Sequence, residues 1–260
     1  MVVGIDVFRA QFAEDDESFV LIGGVAAEMW LARAELPFRV TKDFDIVLLL
    51  DAINDAFLRK VWDFIRAGQY ERKERGDGHR TYYRFSNPGI EGYPVMMEIF
   101  SRKPEGLAVP DDQTVVPIPA EEDASSLSAI LMDDEYHRLV VESREVIDGL
   151  PYVSLPSLIL LKASAWCDLT DRRAAGESID KKHIKKHRND VFRLALLLPT
   201  DQRMQIQERI HRDLTRLLDA FPPGDKSWES IEQSLDLGGL WPGSEVVISA
   251  LREFFISRGR

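Results

Sequence analysis

The chain has 260 residues, 45% of them apolar and 30% charged, with a formal net charge of −11. That length and apolar share can bury a core in one large or two modest domains, and the acidic balance argues against a broad nucleic-acid surface, which needs spread positive charge. The single Cys167 excludes an intramolecular disulfide and a multi-cysteine zinc site, so a reducing cytoplasm is the expected location. Asp6, Arg9 and Glu14 interrupt any apolar leader, and no stretch approaches the roughly 20 apolar residues of a membrane span. A soluble protein with no membrane partner is expected.

A short amphipathic helix is predicted around Asp6–Phe12, then a strand at 19–22, a helix at 25–34, a strand at 45–50 and a helix at 54–67. In the last, Ile53, Phe57, Val61, Phe64 and Ile65 recur at helical spacing. The pattern then turns to β. Thr81–Phe85 and Val95–Phe100 read as strands joined through the turn signal Asn87-Pro88-Gly89. Val115–Ile118 and Arg138–Ile147 read as further short strands, with loops at Pro104–Asp112 and Pro119–Ser126. From Leu155 the periodicity is helical, at 155–170, 180–198, 201–220, 227–235 and 244–257, punctuated by Pro199-Thr-Asp, Pro222-Pro-Gly and Pro242-Gly. The expected fold class is α+β (α/β): a mixed sheet with flanking helices over residues 1–150, then a helical bundle over 151–260. A ligand is expected in the cleft between the two, since sites favour domain interfaces.

Residues Phe19 to Leu50 carry the densest chemistry. Asp43 and Asp45 stand at i and i+2 at the head of an apolar strand, so both carboxylates face one way. Like charges about 5–7 Å apart on a strand are costly to keep ionised without a cation between them. Mg²⁺, with its preference for hard oxygen ligands from one or two carboxylates and phosphates, is the natural candidate. Before this pair, Gly23-Gly24 joins the strand at 19–22 to a helix, an arrangement that offers free backbone N–H groups to an anion. Phosphate beside a carboxylate metal site suggests a nucleoside triphosphate. Each half also has a plainer explanation: Gly-Gly as an ordinary turn and Asp-x-Asp as a polar strand edge.

Taken together, Gly23-Gly24 followed by Arg39-Val-Thr41-Lys-Asp43-Phe-Asp45 and an apolar strand resembles the first motif of the nucleotidyltransferase superfamily, and in particular its AbiEii-type toxin branch. The resemblance runs over roughly residues 19–198. It implies a nucleotidyltransferase-like sheet, an Mg²⁺ or Mn²⁺ site at Asp43 and Asp45, and an NTP as substrate. Gly23 and Gly24 would cradle its phosphates, and Arg39 and Thr41 would meet phosphate or order the loop. Glu98 completes the expected metal site or activates the attacking hydroxyl; the competing reading pairs it with Arg84 or Arg102. Lys162, in the apolar run Leu158–Trp166, must snorkel or find a partner, and the resemblance makes that partner phosphate, whose charge a fixed Lys stabilises. Asp190 matches the first Asp of a later motif. Asn189 replaces the usual Lys before it and Arg193 replaces the second Asp, so Asp190 alone carries over, with an i,i+4 pair to Lys186 as the alternative.

The run Lys181-Lys-His-Ile-Lys-Lys-His-Arg188 concentrates positive charge in an acidic chain. It is either a solvated helix face or a guide for an acidic substrate. His183 and His187 have zinc spacing, but the lysines between them oppose a cation and the intervening Glu of the metalloprotease motif is missing. The function expected from the resemblance is transfer of a nucleoside monophosphate from an NTP to a hydroxyl, with RNA or tRNA as acceptor and a cognate antitoxin as partner. The alternatives are a small-molecule nucleotidyltransferase of the antibiotic-modifying kind, and a catalytically silent domain that binds nucleotide or a protein.

Overall fold

Four consecutive apolar residues, Phe19–Ile22, are all buried and form strand β1, the centre around which the N-terminal part is built. In the computed structural model the described residues are 2–39, 41–72, 83–103, 115–118 and 128–258. The loops expected at Pro104–Asp112 and Pro119–Ser126, and the start of the strand expected at Thr81–Phe85, lie outside them. By their contacts the residues fall into two units, Met1–Met29 with Arg39–Ser154 and Trp30–Phe38 with Leu155–Arg260. The boundary expected near Pro151 falls inside a strand of the first unit.

The first unit contains α1 (Ile5–Phe12), β1, most of α2 (Gly23–Arg33), β2 (Asp43–Leu48), α3 (Asp55–Ala67), β3 (Glu71–Arg72) and β4 (Arg84–Ser86). It continues with β5 (Met96–Ser101), β6 (Val115–Pro117), β7 (Ser128–Leu131), α4 (Asp134–Glu142), β8 (Arg144–Ile147) and β9 (Leu150–Val153). Its sheet is mixed and nine-stranded, in the order β3-β4-β5-β2-β1-β9-β8, with β7 on β5 and β6 on β7. The β1–β2 pair is antiparallel, whereas β2–β5, β1–β9 and β5–β7 are parallel.

Alternation along β2 and β5 gives the sheet two unlike faces. One carries Phe44, Ile46, Leu48, Met97 and Ile99, and packs on α1 and α3 through Phe8, Phe12, Phe57 and Phe64. Phe8 touches Phe12, Phe19, Phe44 and Phe64 at centroid distances of 4.6–5.7 Å, an edge-rich cluster of the kind that adds stability beyond area burial. The residual cavity in this layer is ≈ 20 Å³, room for about one water and no larger ligand. The other face carries Asp43, Asp45 and Glu98, each only half-buried. Met96 and Phe100 share that half-buried face of β5 with Glu98.

The strand expected at Arg138–Ile147 is instead helix α4 followed by β8. Asp133 caps α4 by accepting from the Glu135 N–H at 3.0 Å, and Asp134 and Glu135 fill its first turn. Those signals begin before the β-branched run and win over its strand propensity.

The second unit contains α5 (Leu155–Ala174), α6 (Lys181–Ala195), β10 (Met204–Ile206), α7 (Glu208–Ala220), α8 (Ser227–Leu235), α9 (Ser244–Phe254) and β11 (Phe255–Ser257). β10 and β11 pair in parallel, so the helices expected at 201–220 and 244–257 are shorter than predicted. Trp166, Phe192, Phe221 and Trp228 form its aromatic core.

His137 of α4 is 6% exposed, with Nε2 3.5 Å from the Leu48 carbonyl oxygen. Burial lowers its pKa below the usual 6.5, an effect partly offset by the Leu48 hydrogen bond and increased by Arg102. The unfolded chain therefore takes up this proton first as pH falls, so stability is lost progressively below about pH 6.5. His137→Gln should reduce the difference between urea midpoints measured near pH 7.5 and pH 5.5.

Candidate active site

β1 ends where β2 begins, so antiparallel pairing sets Ile22 opposite Asp45. On the other side of β2, parallel pairing sets Asp45 beside Glu98 of β5, and antiparallel pairing sets Glu98 beside Arg84 of β4. Ile22, Asp45, Glu98 and Arg84 consequently form one row across the sheet, and Asp43 projects to the same side of β2 as Asp45. The expected carboxylates are thus brought onto one face by register alone.

The chain turns from β1 into α2 at Gly23, whose φ of 66° lies in the left-handed region that favours glycine. A Cβ built on Gly23 would overlap Oδ2 of Asp45. One on Gly24 would stand 2.9 Å from Cγ2 and 3.0 Å from Oγ1 of Thr41. The two glycines therefore make room for the chain's own Asp45 and Thr41 as well as opening a helix N-terminus. Thr41 is buried at 4% exposure, and its Oγ1 accepts from Nη1 of Arg39 at 3.4 Å. Thr41 thus stands against the corner, and Arg39 reaches it through Thr41.

Glu98 has a protein partner. Arg84 Nε donates to its Oε1 at 2.6 Å, and the Arg84 Nη2 contact goes to that same oxygen. Both contacts leave Oε2 unengaged. The Arg84 pairing weighed as a competing reading is therefore real. Arg102, its other expected partner, instead reaches Asp51 at 2.7 Å. Among the described residues no three His, Cys, Asp or Glu side chains form a metal-holding group.

Lys162 and Asp190, singled out separately from the sequence, meet in the second unit. Nζ of Lys162 on α5 lies 3.0 Å from Oδ2 of Asp190 on α6, with the side chains 4% and 2% exposed. The ammonium thus answers its apolar surroundings by pairing rather than snorkelling. Arg193, which stands where the family has its second Asp, is also buried. It donates to the Leu235 carbonyl and lies over the Phe38 ring, 5.7 Å from its centroid, so it serves the packing of this unit. The helical reading of the basic run is correct. Asp180 caps α6 by accepting from the Lys182 N–H at 2.8 Å, and Lys181, Lys182 and Lys185 are exposed. Arg188, read as the end of that solvated run, is instead 7% exposed. Its burial was legible in spacing, because Ile184, Arg188, Val191 and Ala195 recur along one helical stripe.

No protein-family model matches the chain, and no curated protein is similar to it in sequence. Among solved structures it is similar to an antigenic nucleotidyltransferase-like protein from Paracoccidioides brasiliensis. The two are 15% identical, with 88% of this chain and 90% of that chain covered and a TM-score of 0.44. A likeness that distant assigns neither fold nor activity.

Removing one partner of the Lys162–Asp190 pair strands a buried charge, which costs about 3–5 kcal/mol. Lys162→Met and Asp190→Leu should each lower unfolding free energy by that order, and the double variant by less than either. Urea denaturation of the four proteins as a double-mutant cycle measures the coupling.

Proposed function

We propose that the chain is a metal-dependent nucleotidyltransferase that moves a nucleoside monophosphate from an NTP to a hydroxyl acceptor. Following the AbiEii-type resemblance, that acceptor is RNA or tRNA and the regulating partner a cognate antitoxin. The single observation that carries the reading is the register row that sets Asp45 between the Gly23 corner and Glu98, with Asp43 on the same side.

The donor set is all hard oxygen, which suits Mg²⁺ or Mn²⁺. Asp43 and Asp45 would hold the ion, with Glu98 at its margin. Because the described residues form no three-ligand group, nucleotide phosphate oxygens would fill the remaining positions, as Mg²⁺ sites in phosphoryl-transfer enzymes commonly allow. When bound, the ion supplies charge neutralisation at the phosphates. The first N–H groups of α2, opened at Gly23 and Gly24, would face phosphate oxygens, and Arg39 would add a cation there. The acceptor oxygen forms a bond to the α-phosphorus as the bond to pyrophosphate breaks. Pyrophosphate leaves, and the hydroxyl proton passes to the unengaged Oε2 of Glu98. Arg84 fixes that carboxylate through its other oxygen. Lys162 and Asp190, to which the resemblance gives nucleotide-facing roles, are held to each other in the second unit and take no step in this scheme.

A second reading, a domain that binds nucleotide without transferring it, is favoured by the same two ion pairs, since Glu98 and Lys162 both have protein partners. A small-molecule acceptor shares the metal chemistry and differs only in what is labelled.

Incubation with α-labelled NTPs, total RNA and Mg²⁺ should label RNA, and chelation should abolish the label. Asp45→Asn should reduce transfer by about a hundredfold or more, the loss expected when a charged group in a phosphoryl-transfer site is removed, while circular dichroism stays unchanged. Near-wild-type transfer by the folded Asn variant excludes the metal assignment. Label on a cationic small molecule but not RNA supports the small-acceptor reading.

A further inference from the structure

Arg188 is a buried cation whose hydrogen bonds among the described residues reach no carboxylate. It is 7% exposed, and its Nε and Nη2 both donate to one neutral acceptor, Oδ1 of Asn189, at 3.0 and 2.8 Å. Its guanidinium lies over the Phe221 ring, 5.0 Å from the centroid. Phe221 packs in turn on Trp166 and Phe192. Asp190, two residues on in the same helix, pairs with Lys162 instead. Desolvation by burial pushes the Arg188 pKa down to about 10.

Burying a charge without a partner is expensive, and a Leu or Met would fill the same aromatic wall without that cost. The retained guanidinium keeps Nη1 uncommitted. On the same stripe of α6, Lys181 and Lys185 stand seven and three residues earlier, both exposed. The three cations span roughly 10 Å of helix, a length suited to a ligand with more than one phosphate. Asn189 holds the fork in place, and an oriented Arg fork suits phosphate geometry better than a flexible ammonium does.

We propose that Arg188 is the anchor of a phosphate-binding site on α6, with Lys181 and Lys185 as its outer contacts, that takes a polyphosphate chain or the phosphates of a nucleic-acid strand. The site lies wholly in the second unit and needs neither the carboxylates of the first nor any metal. Its failure is therefore separable from failure of the transfer reading.

The test uses the full chain without divalent metal at fixed ionic strength, titrated by calorimetry and followed by melting temperature, with sodium tripolyphosphate and a short oligouridylate as probes. Wild type should bind at least one of them saturably and melt higher in its presence. Arg188→Met should weaken that binding at least about tenfold, the loss expected for a charge-assisted hydrogen bond. Without ligand it should melt at or above wild type, because an uncompensated buried charge has been removed. Lys181→Ala with Lys185→Ala, both on the exposed face, should weaken binding and flatten its salt dependence. Preference for tripolyphosphate identifies a nucleotide chain as the phosphate source, and preference for oligouridylate a nucleic-acid strand. Three results overturn the proposal: no saturable binding of either probe by wild type, equal binding by Arg188→Met, or a marked loss of stability in Arg188→Met, which would make the guanidinium part of the core.

Discussion

The Asp45 carboxylate fills the space that a side chain on Gly23 would need, and the candidate site depends on that constraint. β1 delivers the chain to this corner, and only a residue with no side chain leaves space for Asp45 Oδ2 while turning with a positive φ. Any larger residue would push Asp45 from its row or shift β1 against β2. The same absence of side chains lets the first turn of α2 approach Thr41. A helix N-terminus, two carboxylates and a buried hydroxyl are thereby gathered by backbone geometry rather than by long flexible side chains, the more rigid way to position a site.

The two sheet faces divide structure from chemistry. The phenylalanine cluster around Phe8 stabilises one face without any polar atom. The opposite face tolerates Asp43, Asp45 and Glu98 because it is only half-buried, and the Arg84 guanidinium shares the charge of the last. In the second unit three buried cations show three solutions to the same desolvation problem. Lys162 has a carboxylate, Arg193 has a carbonyl and an aromatic face, and Arg188 has a neutral amide and an aromatic face.

The chain was most legible where periodicity was long or chemistry local. α3 announced itself by its apolar stripe, and α8 by its bounds at 227–235. The carboxylate face followed from the i, i+2 spacing of Asp43 and Asp45. Register was not legible, because nothing local in Val95–Phe100 states that Glu98 lies beside Asp45 in a parallel pair or opposite Arg84 in an antiparallel one. Short elements were lost for a related reason. β10, β11 and β9 have three or four residues each, too few for a period to show, and α4 was hidden by β-branched residues whose strand preference its N-cap overrides. Lys162 and Asp190 were each recognised as requiring a partner, yet their pairing is a tertiary event that spacing along one helix does not contain.

The central claim is that Asp43 and Asp45 form the protein half of a divalent-metal site that nucleotide completes. Electron paramagnetic resonance of Mn²⁺ tests it without requiring turnover. With a non-hydrolysable NTP present, wild type should immobilise Mn²⁺ that the nucleotide alone leaves mobile, and the folded variant Asp43→Asn/Asp45→Asn should not. Equal immobilisation by wild type and the double variant would contradict the account.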